Sequence, residues 1–156
     1  MTRSFRLLAG SLVIAALAPM ALAQGLDPER AQSLREGHMK LMGLNIGMLG
    51  AMAKEEQPYD AEMAAAAAGN LAALGSIDQR FYWVEGSSSE DLEESRALPA
   101  IWENMDDFNS KTEALHEAAM KMEEAAGTDL ASLQAAMGPL GEACGSCHED
   151  YRKPEE

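Results

Sequence analysis

Cys144-Gly145-Ser146-Cys147-His148 is the stretch of this 156-residue chain best equipped for chemistry. Two thiols three positions apart, followed at once by an imidazole, fit the C-x-x-C-H pattern of c-type haem attachment. On a helix, residues i, i+3 and i+4 share one face. Both thiols can then add to the vinyl groups of one porphyrin as thioethers, while the imidazole reaches the iron from the same side. A neutral imidazole nitrogen suits haem iron as its proximal ligand. The competing uses of these residues fit less well. A structural zinc site needs four ligands, and three cluster here. A thioredoxin-like pair belongs in a βαβ setting, and a structural disulfide has no use for His148. The motif therefore predicts one covalent haem c, with Cys144 and Cys147 as attachment points and His148 as iron ligand.

The elements that must position this motif read as helical throughout. Ala, Leu, Met, Glu and Lys dominate, and no segment reads as a strand. A first helix is expected from about Pro28 to Ala53, capped by Asp27 with proline at its first position. Its stripe is Arg35, Met39, Met42, Ile46, Leu49 and Ala53. Gln57-Pro58-Tyr59 breaks the chain, and Asp60 caps a second helix expected over about Ala61 to Arg80, with Met63, Ala67, Leu71 and Leu74 on one face. Gly86 to Glu94, with its three serines, reads as a surface loop. A third helix is expected from about Leu98 to Met122, carried by Leu98, Ile101, Met105, Phe108, Thr112, Leu115, Ala119 and Met122. Gly127 punctuates, and Thr128 or Asp129 caps a fourth from about Leu130 to Lys153. Its stripe of Leu130, Leu133, Met137, Leu140, Cys144, Cys147 and Tyr151 carries both thiols onto the seam. Pro139 lies inside it and predicts a kink, or a break and restart. Four amphipathic segments with mostly short links predict an all-α, antiparallel up-down four-helix bundle enclosing the haem.

Residues 1–23 read as a cleaved secretory signal: Arg3 and Arg6 first, then an apolar run from Leu7 to Ala18, then Ala21-Leu22-Ala23. That run falls short of the ~20 residues of a membrane span, so residues 24–156 are expected to be one exported domain with no membrane insertion. The two arginines leave with the signal, taking the net charge from −14 to −16. So acidic a surface argues against nucleic acid and anionic lipid, and would steer toward basic partners. No nucleophile–base constellation suggests a turnover enzyme.

Together these features resemble the cytochrome c′ family, the class II c-type cytochromes, across the whole mature chain. The most specific stretch is CGSCHEDYR, Cys144 to Arg152; class I cytochromes carry their motif near the N-terminus instead. IWENMDDF, Ile101 to Phe108, and QPYD, Gln57 to Asp60, are also similar to family segments. The resemblance implies periplasmic location, a homodimer through the first two helices, small gases such as nitric oxide and carbon monoxide as ligands, and electron transfer with a redox partner. It implies that Arg35 sits near a haem propionate, that Arg152 covers the proximal imidazole, and that Met39 faces the distal side. An apolar Met39 leaves the iron five-coordinate and high-spin. The alternative is a low-spin carrier in which Met39, or Met42, is the sixth ligand. His38, one step off its stripe, reads as a surface or boundary residue, and His116, off the third-helix seam, reads as solvated. Trp83, Trp102 and Phe108 are the aromatics expected to wall the haem. Trp83-Val84-Glu85-Gly86 stands where relatives often carry Phe-Pro-x-Gly, which leaves the course of that loop open.

Overall fold

A computed structural model describes residues 25–154; residues 1–24, which include the expected signal segment, and the last two residues lie outside them. Among the described residues five helices run in order: α1 Pro28–Ala53, α2 Ala61–Gly75, α3 Ala100–Glu103, α4 Met105–Ala126 and α5 Leu130–Tyr151, with a 3₁₀ turn at Arg80–Tyr82. The long helices close a ring, α1 on α2, α2 on α4, α4 on α5 and α5 on α1, while short α3 rests on α4 and α5. This is a four-helix bundle. Three of its helix starts are set by aspartates whose carboxylates accept from backbone N–H groups three residues on: Asp27 from Arg30, Asp60 from Met63 and Asp129 from Ser132. Each satisfies an amide that the first helical turn cannot.

The boundaries depart from sequence expectation in two places. The second helix ends at Gly75, not Arg80, and Asp78 accepts from the Arg80 backbone to start the 3₁₀ turn. The third does not run unbroken from Leu98. Pro99 disfavours helical backbone at the residue before it, and the Leu98 N–H instead donates to the Tyr151 carbonyl. Asn104, at φ −132°, then separates α3 from α4. Within α5 the expected break at Pro139 does not occur. Pro139 and Ala135, whose carbonyl loses its donor, are both exposed, so water can satisfy the orphaned oxygen and the helix continues.

The main core joins α1, α2, α4 and α5 through Leu49, Met52, Leu71, Met122, Leu133 and Leu140. Met63, expected on the buried face of α2, is exposed instead, and the inward row is Ala64, Ala67, Ala68, Leu71 and Ala72. A smaller cluster of Ile101, Phe108 and Tyr151 packs with Trp83, Trp102 and Cys147 at the end of the bundle that carries the motif. Leu133 is fully buried in the main core. Leu133→Ala is expected to destabilise the fold by roughly 2–5 kcal/mol, the cost of lost transfer energy plus a cavity, measurable as a lowered midpoint in denaturant.

Candidate haem site

The motif occupies the last two turns of α5. Cys144, Cys147 and His148 line one cavity of about 520 Å³, together with Leu140, Tyr151 and Arg152 from the same end of the chain. The three motif residues are half-buried and the two cysteines are not joined to each other. Burial raises both thiols, Cys147 to about 11. His148 is held below the usual imidazole range, first by burial and then by the positive charges of Arg152 and Arg96. The ring is thus kept neutral, the form that can donate its nitrogen lone pair to a metal.

The opposing walls come from α1, α2 and α4. Met39, Met42 and Ile46 face the cavity from α1, Leu71 from α2, and Leu115 and Ala119 from α4. The α1 stripe read from sequence therefore divides. Arg35, Met39, Met42 and Ile46 border the cavity, while the row buried in protein is rotated from it: Arg35, His38, Met42, Asn45, Leu49 and Met52. Met42 belongs to both and is 7% exposed, packed in the core cluster. Met39 is 39% exposed and belongs to neither core cluster. The core-filling role that spacing suggests for these methionines falls to Met42.

Arg35 also borders the cavity, yet is only 5% exposed. Its Nη1 donates to the Tyr82 carbonyl and, at 2.8 Å, to Ser87 Oγ; its Nη2 donates to the Ser87 carbonyl at 2.7 Å. The guanidinium lies 4.8 Å over the Trp83 ring. These acceptors are neutral, and burial lowers the Arg35 pKa to about 10, still charged at neutral pH. Ser87 is completed by its own bond to the Val84 carbonyl and by Ser95 Oγ donating to its carbonyl. The serine-rich loop is thus not a surface loop throughout: Ser87 and Ser88 are buried because Arg35 and Asp91 consume their polar atoms. Gly86, at φ +76°, makes the turn that brings Ser87 inward, a conformation glycine takes without strain. Arg35→Leu is expected to cost roughly 2–4 kcal/mol by orphaning buried acceptors, and to free the Trp83 ring. Thermal denaturation and Trp83 emission check the two effects.

Sequence expectation needs further correction here. His38 is buried, not at the surface; its ring meets Tyr82 edge-on at 5.9 Å. His116 is half-buried against Gly75, which has no side chain to hold it off. Of the three aromatics, only Trp83 borders the cavity; Phe108 and Trp102 stand behind it, with ring centroids 4.6 Å and 6.2 Å away. Arg152 is exposed at the cavity edge, its backbone N–H bonded to the His148 carbonyl. Lys40, Arg96 and Lys111 also border the cavity, though no motif singles them out in the sequence. Lys111 pairs with Asp150 at 2.9 Å. Five basic residues, Arg35, Lys40, Arg96, Lys111 and Arg152, border the cavity of a strongly acidic chain against two acidic ones, Glu36 and Glu94, of which Glu36 pairs with Lys40 at 2.6 Å. An apolar cavity with two thiols and a neutral imidazole on one wall, and cations at its edge, fits an apolar macrocycle bearing two carboxylates.

Residues 30–152 match the family model for cytochrome c′. The chain belongs to the cytochrome c′ family. It is 53% identical to a cytochrome c-554 of Cereibacter sphaeroides over 146 residues, 93% of this chain and 95% of that one. To a cytochrome c′ of the same organism it is 40% identical over 132 residues, 85% and 89% of the two chains. The solved cytochrome c′ from Rhodobacter spheriodes superposes with a TM-score of 0.81 at 39% identity, covering 83% of this chain and all of that one. A carbon-monoxide-bound cytochrome c′ variant from Alcaligenes xylosoxidans matches with a TM-score of 0.72 at 30% identity, covering 84% of this chain and 100% of that one. Members of the family hold haem c covalently, and the cofactor of this chain is haem c. Among the described residues, no helix is long and apolar enough to cross a membrane.

Proposed function

We propose that this chain is a periplasmic, non-enzymatic electron carrier in which Cys144 and Cys147 bond the porphyrin, His148 ligates the iron and Met39 is the sixth ligand. Bound haem supplies a one-electron ferrous–ferric couple. The chain's part would be to fix the macrocycle through Cys144 and Cys147, exclude water with its apolar walls, and offer His148 and Met39 to the iron. The observation that carries the reading is Met39: it borders the same cavity as His148 and is not spent on core packing. A thioether free of other duties beside haem iron is a competent ligand. Arg35 and Arg152 would offer positive charge to the propionates, and Arg152 would cover the His148 imidazole. The signal at 1–23 accounts for export.

A second reading is a five-coordinate, high-spin iron that binds nitric oxide or carbon monoxide, with Met39 lying beside it. It is favoured by the apolar lining of Ile46, Leu71 and Leu115 and by the carbon monoxide and nitric oxide complexes of structurally similar proteins. The absorption spectrum of the ferrous protein decides. Sharp low-spin bands that ignore carbon monoxide are expected; a broad high-spin spectrum that shifts with the gas would establish the second reading.

A homodimer through the α1–α2 face belongs to the same proposal. Leu41 and Leu44 on α1, and Met63 and Ile77 from α2 and the turn after it, are exposed around one apolar groove. Such a patch on a charged surface marks an interaction site, and a self-complementary helix pair suits a two-fold contact. Leu44→Glu is expected to convert a dimer into a monomer in sedimentation while leaving the haem spectrum unchanged.

A further inference from the structure

Tyr151 is engaged in more than packing. Its ring borders the haem cavity and is 6% exposed, while its hydroxyl donates to Asp107 Oδ2 at 2.7 Å. Phe108 meets it edge-on at 5.3 Å, and Trp83 follows at 4.6 Å from Phe108. We propose that Tyr151, with Asp107 as its proton acceptor, is a redox-active site that supplies an electron when peroxide is reduced at the haem. The inference rests on the haem attachment described above.

The chemistry explains why Tyr151 and not its neighbours. A phenol that loses an electron becomes a strong acid, and the loss is easy only where a base takes the proton. Asp107 is such a base. The hydroxyl of Tyr59 donates to the Ala126 carbonyl, and the indole of Trp102 donates to the Trp83 carbonyl; a peptide carbonyl does not take up a proton. Tyr82 does not border the cavity. The carboxylate also holds the phenol protonated, raising Tyr151 to about 12 with help from burial, so the proton is in place when the electron leaves. The balance closes with hydrogen peroxide as oxidant. Its O–O bond breaks, and two electrons and two protons from solvent complete two waters. One electron would be supplied by bound haem in its ferrous form, which would be left ferric. The other comes from Tyr151, whose proton passes to Asp107, leaving a neutral tyrosyl radical beside a carboxylic acid.

The test is freeze-quench electron paramagnetic resonance on ferrous holoprotein mixed with one equivalent of hydrogen peroxide. It is run on the wild type and on Met39→Ala, which leaves the distal side open. The expected result is a tyrosyl signal in at least one of them that disappears in Tyr151→Phe, a change that keeps the ring. In Asp107→Asn the radical should form roughly a hundredfold more slowly, the usual loss on removing a positioned base. Covalent haem is verified on the same samples by colour retained in denaturant, so failure of haem attachment is recognised separately. Red holoprotein that gives no radical in either background, or a radical undiminished in Tyr151→Phe, overturns the proposal.

Discussion

Replacing both Cys144 and Cys147 with alanine is expected to abolish all haem retention under denaturing conditions. The wild type, unfolded in guanidinium, should keep its colour and the added mass of one haem. The double variant should show the bare polypeptide mass and release its colour to organic solvent. The contrast is total because the two kinds of bond differ in kind. Imidazole coordination by His148 depends on the folded cavity and dissolves with it, whereas a thioether does not. Each single variant keeps one thioether and should stay red in denaturant, so single and double changes together separate attachment from folding. Burial holds Cys147 protonated up to about pH 11 in the closed bundle, and the thiolate is the reactive form. Attachment is therefore expected to go faster on the open chain than on the folded one, measurable by offering haem to the protein before and after refolding.

How much of this site was legible beforehand depends on how local each signal is. The CxxCH spacing needs only one helical turn to put its three side chains on one face, so the motif reads directly. The three aspartate caps likewise act within their own first turns. The Pro139 break failed because the outcome turns on whether water reaches the Ala135 carbonyl, a fact of tertiary exposure. Arg35 shows the limit most clearly. Its position on an apolar stripe asks for a partner, but the acceptors at Tyr82 and Ser87 lie 47 and 52 residues away. Nothing local to either loop residue announces the contact.

The α1 stripe carries a subtler lesson. Apolar spacing reports that a side chain avoids water; it does not report what covers it. Met39, Met42 and Ile46 share the pattern of a core-facing row, yet that row borders a cavity. The buried row runs instead through His38 and Asn45, which no hydrophobic scale would select. His38 is covered because the 3₁₀ turn lays Tyr82 against it. Asn45 is covered because its amide donates to the Leu41 carbonyl and its oxygen accepts from Asn70. Asn45, satisfied in this way, can be buried at little cost, whereas the buried His38 Nε2 has no hydrogen-bond partner among the described residues.

Met39→Ala is expected to convert a low-spin protein that ignores carbon monoxide into a high-spin one that binds it. The reasoning is competition. If the Met39 sulfur holds the sixth position about 99% of the time, the apparent affinity of any gas is reduced about a hundredfold by that occupancy alone. Removing the sulfur restores the intrinsic affinity, so carbon monoxide titration of the ferrous variant should show a gain of that order. Stability should change little by comparison, since Met39 lies outside both core clusters. Met42→Ala is the control. It removes a core side chain, and should lower the denaturation midpoint while leaving the spectrum low-spin. If the two outcomes are exchanged, Met42 is the ligand. If wild type and Met39→Ala bind carbon monoxide equally well, the sixth position is open in both, and the chain belongs with the gas-binding reading.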